Sequence, residues 1–326
     1  MNISPCAKTM LTDQQKDFFQ ENGYLVVEGL LDQARVLAPL VAEYEALLAD
    51  LRAKYIAEGS LKADAPSRNF QEQISSIYAA GLEYFQPLDI SLPAGEILAD
   101  TPFHAGPAVF DLMTAPALLD VVEDLIGPEI TSNPIQHVRI KPPATELAAG
   151  EIRAHITATD WHQDRAVTLE EADATRMVTT WVAVTDATAD NGCLQVIPKS
   201  HRGQMLPHCP LPEVGIPAKL FDQSAAMPLP VGSGGVVFFH PLTIHGSLAN
   251  RSQGVRWSFD LRYNVTGEPT GRPMFPSFVA RSKSAPQSVL NDAGAWKDAW
   301  LATRETLSRN ATTTIHRWSP DAAHCA

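Results

Sequence analysis

From Val255 to Tyr263 the chain alternates without a break. Val255, Trp257, Phe259, Leu261 and Tyr263 fall on one side, and Arg256, Ser258, Asp260 and Arg262 on the other. A period of two residues belongs to a β-strand. One face of this strand must be buried in an apolar core, while the other carries three charges. Such a face lies either at a solvated edge or inside a polar barrel lumen that holds an anion. The run Val236-Val237-Phe238-Phe239 just upstream reads as a second, fully buried strand, and Asn250 to Gly254 is turn chemistry. Short strands separated by glycine turns, with no βαβ rhythm, predict an antiparallel double-stranded β-helix, or jelly roll. It should be mainly β, with flanking N-terminal helices buttressing one sheet.

Three side chains along these strands have metal-ligand chemistry. His162 and Asp164 are two apart, so on an extended segment both point to one face. His245 follows the apolar run at the end of a rigid strand. A His-x-Asp triplet alone marks little, and a single histidine after an apolar run is more often a satisfied core residue. Two imidazoles and one carboxylate together form the ligand set of non-haem iron(II) oxygenases, which leaves positions open on the ion. Arg256 adds a further constraint. Its planar fork meets a carboxylate bidentately and stays charged when desolvated. Ser247, two residues beyond His245, shares that strand face and adds a hydroxyl. Metal at one end and Arg256 at the other would span a short dicarboxylate, so a 2-oxo acid cosubstrate is expected.

Four stretches carry a resemblance to a known family. They are Leu11 to Lys16 with Glu21-Asn22-Gly23-Tyr24-Leu25-Val26-Val27, His162-Gln163-Asp164, Asp190 to His201, and Phe238-Phe239-His240-Pro241-Leu242 with His245-Gly246-Ser247, Gln253-Gly254 and Arg256. Together they resemble the phytanoyl-CoA hydroxylase family of iron(II)- and 2-oxoglutarate-dependent dioxygenases over about residues 11 to 263. The resemblance implies iron(II) on His162, Asp164 and His245, with 2-oxoglutarate and dioxygen as cosubstrates. It also implies Arg256, Ser247, Trp181 and His137 as cosubstrate-pocket residues, His137 being placed by its offset from Lys141-Pro142-Pro143. One departure stands out: some members use a lysine before the first core strand, and this chain has none between Lys62 and Lys141. Related halogenating enzymes have a small residue where Asp164 stands, so its carboxylate favours hydroxylation, desaturation or another oxidative step over halogenation.

The 326 residues read as one domain. A helical region spans about 12–126, a barrel about 134–264, and a loop with a last helix about 265–326. Thr12 and Gln15 form a capping box opening a helix that Gly23 ends. Asp32 caps a long helix, Val109 to Ile126 reads as one more, and Val289 to Ser308 as the last, followed by a tail. Tyr84 and His104 could reach substrate at the barrel mouth. Residues 144–160, a long loop with Arg153 and His155 leading into His162, could form a lid. The glycine-rich stretch 231–235 precedes a strand, not a helix, and so is a turn and not a phosphate cradle.

A net charge of −12 argues against nucleic-acid binding and weighs against a polyanionic acyl-CoA substrate. A small-molecule substrate is expected, with no membrane partner: no apolar run approaches a membrane span, and no secretory signal is evident. Cys6, Cys193, Cys209 and Cys325 show no paired spacing and read as free thiols in a reducing cytoplasm. Two rival readings remain at this level. One is a cupin-like metalloenzyme without 2-oxoglutarate; the other is a non-catalytic jelly-roll binding protein with a structural metal.

Overall fold

The computed structural model describes residues 10–63, 69–143, 158–210, 214–309, 317–319 and 321–325. Helices come first: α1 (Asp13–Asn22), α2 (Ala38–Ala57), α3 (Phe70–Ala79), α4 (Phe85–Leu88), α5 (Pro107–Met113) and α6 (Pro116–Ile126), with α7 (Ala293–Ser308) at the far end. The strands are β1 (Tyr24–Val27), β2 (Ile130–Lys141), β3 (Met177–Ala183), β4 (Leu194–Val196), β5 (Cys209–Pro210), β6 (Val214–Gly215), β7 (Met227–Leu229), β8 (Val236–Phe239), β9 (His245–Ser247), β10 (Arg256–Val265) and β11 (Phe278–Arg281).

Two antiparallel sheets face each other. The larger runs β1-β8-β3-β10-β2-β11 and the smaller β7-β4-β9. The alternation of β10 decides which side is which. Trp257 stacks on Phe70 at 4.2 Å and lies 5.1 Å from Tyr44, while the Tyr263 hydroxyl donates to the Met113 carbonyl at 2.7 Å. The apolar face of β10 therefore lies against α2, α3 and α5. Arg256, Ser258 and Asp260 sit opposite Lys141, Arg139 and His137 of β2 in register, so the charged face looks into the space between the sheets.

The capping box of α1 forms as expected: Thr12 accepts from the Gln15 amide and Gln15 from the Thr12 amide. Gly23 closes the helix at φ +80°. A Cβ there would also meet the His201 ring and the Thr243 hydroxyl, 2.3 and 2.6 Å away. Val109 to Ile126 is two helices, because Pro116 cannot continue α5 and restarts the chain as the first turn of α6. The last helix starts at Ala293, where Asp292 caps it, and not at Val289. Tyr84 is buried with its hydroxyl on the Ile140 carbonyl, and His104 pairs with Glu43 at 2.7 Å; neither lines the cavity between the sheets.

The cysteine reading needs correcting. Cys209 and Cys325 are joined in a disulfide across 116 residues of sequence, and Cys193 is a buried free thiol. Spacing hid the pair because only the folded tail brings the chain end back to β5. Cys6 and residues 144–157, with the suggested lid and its Arg153 and His155, lie outside the described residues. No helix among the described residues is long and apolar enough to cross a membrane.

Candidate metal centre

His162 and His245 are cross-strand partners. Each backbone amide donates to the other's carbonyl, at 2.9 and 3.0 Å, which puts both rings on one face with centroids 4.3 Å apart. Gln163 continues the extended backbone, and Asp164 opens a short 3-10 turn. The carboxylate thus comes to the same face: its oxygens lie 3.8 Å from His162 Nε2 and 3.8 Å from His245 Nε2. The ligand atoms of all three residues fall within 4.8 Å of one another.

The surroundings prepare these atoms for a cation. His162 Nδ1 is tied to the Asp160 carbonyl at 2.8 Å, and His245 Nδ1 to the Thr243 carbonyl at 3.0 Å. A carbonyl can only accept, so both Nδ1 atoms carry the proton and both Nε2 lone pairs face the centre. Phe239 stacks on the His245 ring, with centroids 4.6 Å apart. Arg262 donates to Asp164 Oδ1, while Oδ2 is buried with no hydrogen-bond partner. Burial raises the Asp164 pKa, but the Arg262 guanidinium beside it leads the effects that outweigh this and hold the carboxyl well below the usual range. A buried anionic oxygen without a donor, facing two imidazole lone pairs, fits a divalent cation.

The cavity beside this cluster is lined by Trp181, Ser247, Arg256, Arg139 and Asp260, among others. Arg256 is buried; its guanidinium sits 5.3 Å from the Trp181 ring and donates to Ser258 Oγ at 2.6 Å, leaving Nε unpaired. Burial pulls its pKa down to about 10, so it stays charged at neutral pH. Ser247 Oγ accepts from Lys141 Nζ and from the Thr159 amide at 2.9 Å, so its own hydrogen is left to point elsewhere. Arg139 pairs with Asp260 at 2.9 Å.

Six of the seven residues singled out in the sequence are thus brought together: His162, Asp164, His245, Arg256, Ser247 and Trp181. His137 is not among the residues lining the cavity. Its Nδ1 lies 2.8 Å from Asp89, and Arg139, two residues on, is the β2 side chain that lines it. Sequence reasoning put Arg262 on the polar face without a role and passed over Lys141 and Arg139. The alternation of β10 could have flagged Arg262, whereas the strand pairing that places Lys141 beside Ser247 and Arg256 is not written in any local pattern. Gln163 and His208 were also missed. Gln163 donates its backbone amide to His208 Nε2 at 3.0 Å, and His208, fully buried, has its pKa pushed down by desolvation to about 3 and so accepts as a neutral ring.

A jelly roll whose two sheets enclose a two-histidine, one-carboxylate cluster beside a buried arginine defines the class of iron(II)- and 2-oxoglutarate-dependent oxygenases. Residues 19–258 match the phytanoyl-CoA dioxygenase (PhyH) family. The chain belongs to the phytanoyl-CoA dioxygenase family, and membership places it among the iron(II)- and 2-oxoglutarate-dependent dioxygenases. It is 28% identical over 265 residues to a probable phytanoyl-CoA dioxygenase of Caenorhabditis elegans, covering 78% of this chain and 76% of that one. The peroxisomal phytanoyl-CoA dioxygenase of Homo sapiens is 28% identical over 262 residues, and the match spans 76% of this chain and 66% of the human protein. Among solved structures, the non-heme monooxygenase ThoJ superposes with a TM-score of 0.58 at 19% identity, over 90% of this chain and 97% of that one. EctD from S. alaskensis gives 0.52 at 19% identity, over 81% of each chain. These superpositions show the same fold.

Proposed function

We propose that this protein hydroxylates an unactivated C–H bond of a small-molecule metabolite, with iron(II) held by His162, Asp164 and His245. The observation that carries this reading is the pair of imidazole Nε2 atoms facing the unpartnered Asp164 Oδ2, next to a buried, charged Arg256. Arg256 and the Ser247 hydroxyl would take the distal carboxylate of 2-oxoglutarate, with Trp181 as a wall. When bound, the iron and the 2-oxo acid supply the oxidising power from dioxygen; the protein contributes orientation and a dry cavity. Arg262 engages one Asp164 oxygen and so directs the other to the cluster. Phe239 and Trp181 keep water from the ring faces and the guanidinium. His137 is proposed only as a neighbour of the cosubstrate pocket, with its ring oriented by Asp89.

The acidic balance supports a small substrate over nucleic acid or a polyanionic acyl-CoA. A cytoplasmic setting is part of the same proposal; the Cys209–Cys325 disulfide is the observation against it, and cell fractionation decides it. The reaction is tested by succinate formation from 2-oxoglutarate under air, screened against small metabolites. A compound that raises succinate output and gains one oxygen atom by mass supports the reading. No succinate from iron-loaded protein with any compound would sink it.

A further inference from the structure

The proposed iron-holding segment is braced from outside the cavity. Gln163, between the two ligands, is fully buried. Its amide donates to His208, its side chain donates to the Leu242 carbonyl at 2.8 Å, and its Oε1 accepts from the Leu206 amide at 2.7 Å. His208 Nδ1 is tied in turn to the Leu206 carbonyl at 2.7 Å. The lid over His208 comes from the chain's other end. The Trp318 ring lies 5.2 Å from the His208 ring, and its Nε1 donates to the Ala166 carbonyl at 2.9 Å, two residues beyond Asp164. Arg317 donates to the carbonyls of Thr168 and Arg165 at 2.8 and 3.0 Å and pairs with Asp173. Cys325 closes the arrangement covalently on Cys209, the residue after His208.

We propose that His208 is a positioning residue for the metal ligands, and that the C-terminal tail is its thiol-controlled brace. With Cys209 and Cys325 joined, Trp318 is seated over His208, and His208 fixes the amide between His162 and Asp164. With the disulfide open, the tail is held only by non-covalent contacts at a half-exposed surface, and its local concentration falls. The segment then loosens, and the ligands are no longer pre-set for the ion. Opening takes two electrons and two protons from a dithiol reductant, which leaves as its own disulfide. The inference rests on the assignment of His162 and Asp164 as ligands. Outer groups that orient metal ligands typically change metal affinity by roughly 10- to 100-fold, and that is the effect expected here.

The test compares oxidised protein, the same protein reduced with a phosphine that is then removed, and Cys325→Ser. Thiol content is verified by alkylation and mass. Iron(II) is titrated anaerobically at saturating 2-oxoglutarate, following the visible charge-transfer band. That band reports iron carrying the 2-oxo acid, and so is blind to any metal taken up by Cys209, His324 and Cys325, whose ligand atoms also lie within reach of one ion. The expected result is an apparent Kd at least about tenfold weaker in the reduced and Cys325→Ser forms, with Trp318→Ala moving the same way while its disulfide is intact. Metal-free protein gives a second readout: amide exchange in residues 161–168 should quicken on reduction. Equal Kd values and equal exchange in verified oxidised and reduced protein would overturn the brace. So would free thiols at both Cys209 and Cys325, located by peptide mass after alkylation, in protein purified without reductant. If oxidised protein shows no band, the ligand assignment has failed instead, and the exchange comparison alone judges the brace.

Discussion

Replacing Arg256 by Met should weaken 2-oxoglutarate binding and, at the same time, leave the empty protein as stable or more so. The two signs come from the same burial. Truncating one partner of a buried, hydrogen-bonded charge pair costs about 2–5 kcal/mol, which at 1.4 kcal/mol per decade is roughly 30- to 4,000-fold in Kd. Ser247 still offers its hydroxyl to the same carboxylate, which points to the lower half of that range, about 100-fold. In the empty protein, a guanidinium pulled by burial from 12.5 to about 10 carries a penalty on the order of 3 kcal/mol. Against this, the variant loses the bond to Ser258, about 1 kcal/mol, and the contact with Trp181, about 1 kcal/mol, although methionine keeps part of the packing. The balance is zero to a modest gain. The assay is anaerobic titration of iron-loaded protein with 2-oxoglutarate, beside 2-oxovalerate, which lacks the distal carboxylate; urea melts of the metal-free form give stability. The variant should lose affinity for 2-oxoglutarate alone. Equal loss for both acids, or a Kd within threefold of the parent, would refute the clamp.

Removing the Asp164 carboxylate by Asp164→Ala should abolish the charge-transfer band. It should also destabilise the metal-free protein by about 3 kcal/mol, because buried Arg262 loses its hydrogen-bonded carboxylate and keeps only the Ile135 carbonyl and the field of Asp260; urea denaturation reads this, and an unchanged midpoint would contradict it. Gly246→Ala places a Cβ 2.9 Å from the Thr159 carbonyl and 3.4 Å from that of Asp160, which holds His162 Nδ1. Iron affinity should fall by about tenfold, measured by the same band, with the fold retained by circular dichroism. Acid should also unsettle the protein through its buried imidazoles. Desolvation holds His208 at about 3 and His240 at about 4, against 6.5 when free. Each folded-state pKa is depressed, so the unfolded chain binds more protons. The stability associated with the neutral rings is present above pH 6.5 and is lost progressively as pH falls toward 4 and below. His240→Asn should flatten that fall in a melting-temperature series; a parallel curve would remove His240 from the explanation.

How much of this was legible in the sequence follows from where the information lies. The proposed metal ligands and Arg256 sit within or beside strands, so two residues of spacing and one strand end sufficed to group them, although Asp164 reaches the shared face from a 3-10 turn and not from the extended segment expected. The lumen face of β10 was readable for the same reason. Facing alone says nothing of which strand lies opposite. Lys141 becomes a partner of Ser247 only because β2 pairs with β10 in one register, and β9 crosses from the other sheet. His137 was placed by counting from Lys141, but which β2 side chain reaches the cavity depends on the contacts each one makes, and Asp89 holds the His137 ring while Arg139 lines the space. The disulfide escaped for a related reason: a link across 116 residues leaves no local trace. The break between α5 and α6 was visible in Pro116 and was overridden by the apolar periodicity on either side.

The most direct measurement is iron(II) titration of metal-free protein under argon, followed by 2-oxoglutarate, with the visible spectrum recorded at each step for the parent, Asp164→Ala and His245→Ala. The parent should bind one iron per chain and develop the weak metal-to-ligand charge-transfer band when the 2-oxo acid is added, and both variants should lack it. A parent protein that binds iron but shows no band, or variants that keep it, would contradict the assignment of His162, Asp164 and His245 as the centre at which 2-oxoglutarate binds.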